Sequence, residues 1–180
     1  PVRWECGCAC GKCGACAMRV NGLPTLACKA FLGPLGQTVT LEPLSKFPLV
    51  ADLVVDRGVI FEQLKKIHLW LSGAAVTREK THELRFQSSR CLMCGCCLEI
   101  CPNFRAGGGF AGALAAVGAY RMFNQESDEA HRAEAAKRYV ASYYSGCGTS
   151  LACRAICPAG IPVDELISRS NAAAVWRRRS

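Results

Sequence analysis

The sequence predicts an α+β protein in which a small sheet-based part is followed by a helical part. Alternating apolar residues and an Asn-Gly pair indicate short strands within residues 1–58. Apolar residues at helical spacing indicate a helix from Val59 onward, and the composition changes again at Arg90. We therefore divide the chain into residues 1–58, a connecting helix and linker over residues 59–89, and a helical part over residues 90–180.

The strands are predicted from three stretches. Residues 18–27 should form a hairpin around Asn21-Gly22, because Asn and Gly accept the positive φ angles of a tight turn. Residues 38–44 alternate apolar and polar side chains and predict a strand, and residues 50–55 are a short apolar run.

The helices are predicted from apolar spacing and from their charged faces. They cover residues 59–71, 110–124, 127–143 and 162–173. The glutamates and arginines of the third helix should face solvent. Residues 72–89 are polar and irregular and predict a linker. The terminal Arg177-Arg178-Arg179 is expected to be solvated charge without a role.

One run of cysteines predicts iron–sulfur chemistry. From Cys91 to Pro102 the cysteines follow C-x2-C-x2-C-x3-C-P, the bacterial ferredoxin pattern. Three thiolates two residues apart can reach three corners of one cubic cluster, and the fourth cysteine ligates a different cluster. The pattern therefore predicts a second cysteine group, which the chain supplies at Cys147, Cys153 and Cys157.

The two groups divide their thiols between two clusters if the last cysteine of each serves the other one. The first cluster then has four thiolates, from Cys91, Cys94, Cys97 and Cys157, and is expected to be [4Fe–4S]. The second has three, from Cys101, Cys147 and Cys153. Ser150 stands in the place of the missing cysteine, so we expect [3Fe–4S]. The alternative is that Ser150 ligates a fourth iron through oxygen.

A third cluster is predicted near the N-terminus. The spacing C-x4-C-x2-C is that of a plant-type [2Fe–2S] loop, and a more distant cysteine closes the site. The candidate ligands are Cys8, Cys13, Cys16 and Cys28. The predicted hairpin would return Cys28 to the loop. Cys6, Cys10 and Cys96 remain and are expected to be small buried residues, although Cys10 could replace Cys8 with an x2 step in place of x4.

Fourteen cysteines could also indicate a secreted disulfide scaffold or zinc sites. No secretory signal precedes them, and their spacing is that of cluster motifs, so a reducing compartment is expected. The chain starts with Pro1 and has too little sequence before Cys6 for the sheet that a plant-type loop needs. We therefore expect that an N-terminal segment is absent from this sequence.

The net charge of +8 is partly offset by anionic clusters, and the rest could face acidic partners or anionic lipid headgroups. Basic residues are scattered, which disfavours a nucleic-acid partner, and no apolar run is long enough to span a bilayer. The three histidines form no recognisable nucleophile–base pair. With three clusters and no catalytic residues, the chain is predicted to conduct electrons between partner subunits.

The sequence resembles the iron–sulfur subunits of succinate dehydrogenase and fumarate reductase along nearly its whole length. Residues 13–22 and 25–28 are similar to that family's [2Fe–2S] loop, and residues 52–57 to its interdomain strand and turn. Residues 91–102 and 147–158 match its two C-terminal motifs.

This resemblance implies a β-grasp plant-type ferredoxin domain, here incomplete at its N-terminus, followed by an α-helical ferredoxin domain. It also implies a flavoprotein partner with covalent FAD that interconverts succinate and fumarate. The other implied partner is a membrane anchor of cytochrome b type that handles quinone, often with haem b. The chain would lie peripherally at the cytoplasmic face of a bacterial inner membrane.

Two departures concern the quinone. Ubiquinone-using members of the family carry Trp residues soon after the first Cys-Pro and a His after the first cysteine of the second group. Here Arg105 or Ala106, and Gly148, occupy those positions. We therefore favour a menaquinone-type enzyme in which the anchor mainly holds the quinone. The alternatives are a soluble thiol-dependent fumarate reductase or heterodisulfide-reductase-like complex, and a free ferredoxin-like carrier.

Overall fold

The structure, a computed structural model, describes residues 1–77 and 79–176, so the arginine tail lies outside the described residues. Near the N-terminus, β1 (Ala17–Val20), β2 (Leu23–Leu26) and β3 (Leu41–Glu42) form an antiparallel sheet in the order β2-β1-β3. Positive φ angles of 49° at Asn21 and 81° at Gly22 join β1 to β2. The predicted hairpin is confirmed.

The predicted strand over residues 38–44 is shorter in the structure, where only Leu41–Glu42 pair with β1. Pro43 has no N–H to continue the ladder. Before the strand, the backbone N–H of Thr40 donates to the side-chain oxygen of Asn21 at 2.9 Å. A second small sheet follows, formed by β4 (Leu49–Ala51) and β5 (Val54–Val55).

Helix α1 (Gly58–Lys66) ends five residues before the predicted limit at Leu71. The chain leaves the helix at His68, whose φ is 59°. Ile67 is fully buried, and Leu69 and Leu71 pack against the same core as irregular chain. The apolar spacing therefore continues beyond the helix because the following segment also covers the core.

The prediction of an irregular linker over residues 72–89 is wrong at its C-terminal end. A 3-10 turn at Glu79–Thr81 leads into α2 (His82–Ser89), which packs against a later helix. The buried positions of α2 are Arg85 and Ser88, whereas Phe86 is exposed. Polar residues face inward, and so the sequence shows no amphipathic pattern for this helix.

The helical part is built around α4 (Ala113–Gln125), which packs against α1, α2, α5 (Glu129–Ser142) and α7 (Val163–Asn171). A π-helical turn, Ala172–Trp176, extends α7. Small residues let α4 approach its neighbours, and the hydroxyl of Ser170 donates to the Ala116 carbonyl at 2.9 Å. Helix α4 begins three residues later than predicted because Gly112, with φ 75°, still turns the chain there.

Helix α5 matches its prediction closely. The carboxylate of Asp128 accepts the backbone N–H groups of Ala130 and His131 at 2.8 and 3.2 Å and caps the helix. Its charges pair along the solvated side, for example Arg138 with Glu134 at 2.8 Å.

Two one-turn helices carry the cysteine motifs. Helix α3 (Cys96–Glu99) and helix α6 (Ala152–Ala155) pack against each other. Each follows a residue in the left-handed conformation, Gly95 with φ 88° and Leu151 with φ 56°. Each is followed by a Cys-Pro pair, so the two motifs share one local backbone design.

The sheet-based part and the first cysteine run share one apolar core. Leu26, Leu44 and Phe47 pack there with Leu98 and Phe104. A second core lies among the helices of the C-terminal part. Among the described residues, no helix combines the length and the apolar character that a membrane crossing requires.

Candidate metal centres

Three of the four predicted ligands of the N-terminal site accept hydrogen bonds from backbone N–H groups. The sulfur of Cys8 accepts the N–H groups of Cys10 at 3.4 Å and Lys12 at 3.1 Å. The sulfur of Cys13 accepts the N–H of Cys8 at 3.4 Å. Such bonds favour the thiolate form, and the bonds from Cys10 and Lys12, together with one from Cys13, lower the pKa of Cys8 to about 6.

Cys28 reaches this loop from the other end of the hairpin. It lies on the 3-10 turn Ala27–Lys29 directly after β2, and its sulfur is 3.4 Å from the sulfur of Cys16. The Gly11 N–H donates to the Cys28 sulfur at 3.2 Å. Gly11 has φ 74°, and a Cβ there would lie 2.6 Å from the Lys29 side chain. The hairpin therefore brings Cys28 beside Cys16 and Gly11.

The three cysteines without an assigned ligand role differ from one another. Cys96 is fully buried, but Cys6 and Cys10 are exposed, so the expectation of buried residues is wrong for these two. Both flank Cys8 on a loop that projects into solvent. The thiol of Cys96 donates to the sulfur of Cys94 and is the main reason that the pKa of Cys94 is lowered to about 7.

We call the four C-terminal thiols that are predicted to share one cluster the first C-terminal group. They come from both sequence runs and are Cys91, Cys94, Cys97 and Cys157. Burial raises the pKa of Cys97 well above its ordinary value, and the other three thiols add to this effect. Burial likewise raises the pKa of Cys91 to about 11. The Met93 N–H donates to the Cys91 sulfur and acts in the opposite direction. Cys157, which the second run is predicted to contribute to this cluster, thus lies close enough to the first run to affect Cys91 and Cys97.

The second group brings together Cys101, Cys147 and Cys153. Burial raises the pKa of Cys153, and the thiols of Cys101 and Cys147 act in the same direction. All three line a cavity of about 20 Å³, and Ser150 lines it too. The hydroxyl of Tyr143 donates to the sulfur of Cys147 at 3.4 Å.

The N-terminal loop touches the first C-terminal run directly. Gly14 has φ 77°, and a Cβ there would lie 2.8 Å from the Leu92 carbonyl oxygen and 3.1 Å from the Cys94 Cβ. The guanidinium of Arg57 donates to the carbonyls of Gly14 at 2.8 Å and Ala15 at 2.9 Å. It also pairs with Glu5. Arg57 thereby holds the loop within the N-terminal part in the position where Gly14 meets Leu92 and Cys94.

Glu99 also joins the first C-terminal run to the N-terminal part. Its buried carboxylate accepts the backbone N–H and the hydroxyl of Ser45 at 2.9 and 2.6 Å, and the Lys46 N–H at 3.0 Å. The Lys46 ammonium donates to the carbonyl of Cys101. The chain between two ligand cysteines is therefore fixed to the N-terminal part.

Sequence reasoning missed Arg57, Glu99 and Tyr143. For Glu99 a signal was available, because a carboxylate inside a run of ligand cysteines is unexpected unless it has a structural partner. For Arg57 no local pattern gives a signal, since its partners lie on a loop that only the fold brings near. Tyr143 lies four residues before its partner Cys147, but a tyrosine at that spacing is not part of any cysteine motif.

The donor set fits iron–sulfur clusters. Thiolate sulfur is the ligand these clusters prefer, and N–H groups directed at the sulfurs are typical of their loops. Within residues 1–77 and 79–176, no three Cys, His, Asp or Glu side chains converge closely enough to hold a single metal ion.

Two families of iron–sulfur domains match separate stretches of the chain. Residues 1–62 match the family described as a 2Fe-2S iron-sulfur cluster binding domain. Residues 87–161 match the family described as a 4Fe-4S dicluster domain. The predicted order, a [2Fe–2S] domain followed by a two-cluster domain, is confirmed.

The chain is also similar to whole curated proteins. It is 36% identical to the succinate dehydrogenase iron-sulfur subunit of Bacillus subtilis, over 95% of this chain and 71% of that protein. It is 31% identical to the fumarate reductase iron-sulfur subunit of Escherichia coli O157:H7, over 87% of this chain and 66% of that protein.

A solved structure shows the same fold. The chain superimposes on a chain of the Mycobacterium smegmatis Sdh1 complex in the apo form with a TM-score of 0.80. The match covers 100% of this chain and 79% of that one at 24% identity.

Proposed function

We propose a function from one premise: the chain belongs to the family of iron–sulfur subunits of succinate dehydrogenases and fumarate reductases. On that premise it is the electron-transfer subunit of a membrane-bound succinate:quinone oxidoreductase. Its partners are a flavoprotein subunit with FAD and a membrane anchor of cytochrome b type that handles quinone. The observation that carries the proposal is the presence of three separate cysteine groups packed in one chain.

The ligand sets follow these groups. The [2Fe–2S] cluster would be held by Cys8, Cys13, Cys16 and Cys28, and the [4Fe–4S] cluster by Cys91, Cys94, Cys97 and Cys157. The [3Fe–4S] cluster would be held by Cys101, Cys147 and Cys153. When bound, these clusters supply one-electron transfer. Because the three groups lack catalytic acids and bases, succinate or fumarate chemistry belongs to the flavoprotein.

The residues around the thiols have two tasks in this function. Backbone N–H groups at the first loop stabilise negative charge on sulfur, which raises a reduction potential. Gly14 packs against Leu92 and Cys94, which places the first two groups next to each other, and the bonds of Arg57 fix the backbone of the loop at Gly14. Close approach is what electron transfer between them requires.

The finer features of the assembly belong to the same proposal. The sheet formed by β1, β2 and β3 is part of a β-grasp domain, with domain limits at residues 1–58 and 90–180 and a connecting segment between them. The chain lies peripherally at the cytoplasmic face of a bacterial inner membrane. With Gly148 and Arg105 at the departing positions, the quinone is a menaquinone held mainly by the anchor, with or without haem b.

Spectroscopy of the native complex tests this proposal. The complex should be purified through a tag on this chain and its subunits identified by mass spectrometry. Low-temperature EPR should show a reduced [2Fe–2S] signal, a reduced [4Fe–4S] signal and an oxidised [3Fe–4S] signal. A flavoprotein and a membrane subunit should co-purify. Isolation of the chain alone would favour the free carrier, and a thiol-dependent partner without an anchor would favour the soluble fumarate reductase.

A further inference from the structure

We propose that the hydroxyl of Tyr143 is a positioning group that raises the reduction potential of one centre, by donating a hydrogen bond to the sulfur of Cys147. The inference rests on the proposed function, in which Cys147 is a ligand of the [3Fe–4S] cluster. It assigns a role to a side chain that lies outside the ligand set.

The hydrogen bond is built into the interior of the protein. The distance from the Tyr143 oxygen to the Cys147 sulfur is 3.4 Å, and Tyr143 is 1% exposed. A buried hydroxyl that loses its partner destabilises the fold, so the interior favours keeping this bond. A phenol keeps its proton at neutral pH and therefore remains a donor.

Neighbouring rings fix the direction of this hydroxyl. The Tyr143 ring stacks on Phe110 with centroids 5.5 Å apart, and lies 5.0 Å from the ring of Tyr139. Its backbone N–H donates to the Tyr139 carbonyl at 2.8 Å and closes the last turn of α5.

The acceptor is fixed as well. A short 3-10 turn, Tyr144–Gly146, carries the chain from Tyr143 to Cys147. Gly146 lies against Phe110, where a Cβ would be 2.7 Å from the ring, and its carbonyl accepts the side-chain N–H of Asn103 at 2.7 Å. Donor and acceptor are thus each held by contacts other than the hydrogen bond between them, and Phe110 packs against both segments.

A hydrogen bond to a ligand sulfur changes the potential in a defined direction. Reduction adds negative charge to a cluster and its thiolates, and a donor stabilises the more negative state more strongly. Loss of the Tyr143 hydroxyl should therefore make reduction of this one centre less favourable. The other two centres have different sulfurs and should not respond.

The chain contains a matched control one helical turn earlier. Tyr139 is fully buried, and its hydroxyl donates to the side-chain oxygen of Asn171 at 2.8 Å. Replacing either tyrosine by phenylalanine removes one buried hydroxyl from adjacent rings. The two variants differ in that only Tyr143 donates to sulfur.

The experiment is an EPR-monitored redox titration of the whole complex, comparing wild type with Tyr143→Phe and Tyr139→Phe. In Tyr143→Phe the equilibrium constant for reducing the [3Fe–4S] centre should fall about two- to tenfold, the worth of one hydrogen bond. The [2Fe–2S] and [4Fe–4S] potentials should not change. In Tyr139→Phe all three potentials should match wild type.

An unchanged [3Fe–4S] potential in Tyr143→Phe would overturn the inference, and so would the same shift in both variants. A wild-type complex without a [3Fe–4S] signal would instead contradict the proposed function. If Tyr143→Phe fails to assemble, the Tyr139→Phe complex can be produced with 3-fluorotyrosine in place of tyrosine. Fluorine makes the phenol a stronger donor, so the [3Fe–4S] potential should be higher than in Tyr139→Phe with ordinary tyrosine. Absence of that rise would also count against Tyr143.

Discussion

At the scale of single residues, Glu99 has the clearest structural consequence. Its carboxylate accepts three hydrogen bonds from Ser45 and Lys46 and lies 3.9 Å from the Arg19 guanidinium. Glu99→Gln places an amide N–H opposite a backbone donor and removes a buried charge-assisted bond. We expect the free energy of unfolding to fall by about 2 kcal/mol, measured by denaturant or thermal unfolding of the holoprotein.

Glu134→Gln is the control for this change. Glu134 pairs with Arg138 on the solvated side of α5, where both side chains are about two-fifths exposed. Removing that pair should cost less than about 1 kcal/mol. Equal losses in the two variants would show that Glu99 contributes no more than a surface carboxylate.

Ser150 offers a test of the missing ligand. It lines the cavity of the second C-terminal group with Cys101, Cys147 and Cys153. If the expected [3Fe–4S] cluster lacks an iron because this position has no thiol, Ser150→Cys should convert a large part of it to [4Fe–4S]. The oxidised [3Fe–4S] EPR signal would fall, and iron per complex would rise by the converted fraction, up to one atom. An unaltered signal and iron content would argue against a simple vacancy.

The grouping of the cysteines could be predicted because cluster chemistry fixes their spacing in sequence, and their roles as ligands stay a prediction. The groups that the structure assembles agree with that spacing for the first loop and for both C-terminal sets. The residues that surround the cysteines could not be predicted. Arg57 donates at 2.8 Å to a loop far away in the sequence, and Tyr143 meets the sulfur of Cys147 at 3.4 Å because packed rings direct its hydroxyl there. Neither contact can be read from the spacing of residues in the sequence.

At the scale of elements, the sequence succeeds where apolar periodicity and burial agree. The Asn21-Gly22 hairpin and helix α5 were predicted to within about two residues. Helix α2 was missed because its inward face carries Arg85 and Ser88. Helix α1 was predicted too long because Leu69 and Leu71 cover the core without helical backbone.

Contact between the first loop and the first C-terminal run can be tested at Gly14. Gly14→Ala adds left-handed strain of about 1 to 2 kcal/mol and also drives a methyl group into the Leu92 carbonyl, 2.8 Å away. We expect the variant to lose clearly more stability than strain alone explains. It should also slow electron transfer from the [2Fe–2S] centre, as measured by pulse radiolysis or rapid-freeze EPR.

Gly107→Ala isolates the strain. Gly107 has φ 76°, nearly the same as Gly14, but open space surrounds its Cβ position. This variant should lose about 1 to 2 kcal/mol and leave electron transfer unchanged. If the two alanine variants behave alike, the packing of Gly14 on the neighbouring loop is not important.

At the scale of the whole molecule, the cysteine loops are part of the core. Cys94 and Cys96 pack with Leu26, Leu98 and Phe104 in the cluster that joins the two parts of the chain. Metal binding energy at such loops is also folding energy. Removing iron with a chelator and an oxidant, followed by thiol reduction, should lower the free energy of unfolding by several kcal/mol.

Circular dichroism during heating measures this loss. For a chain of this length, each kcal/mol corresponds to about 2 to 4 °C in Tm, so the apo chain should melt about 10 °C or more below the holo form. Reconstitution with iron and sulfide should restore the original Tm. An apo chain with an unchanged melting curve would show that the clusters do not contribute to the stability of the fold.

In the proposed ligand sets, each C-terminal run contributes a cysteine to the cluster of the other run. This exchange also determines the order in which the sites can be completed during translation. Cys28 completes the first site early in translation, but Cys157 is needed before the [4Fe–4S] site has its fourth thiol. Cys101 must likewise wait for Cys147 and Cys153. A ribosome stalled near residue 140 would therefore display a nascent polypeptide able to accept one inorganic centre, while the other two must wait until residues 147–157 have been made.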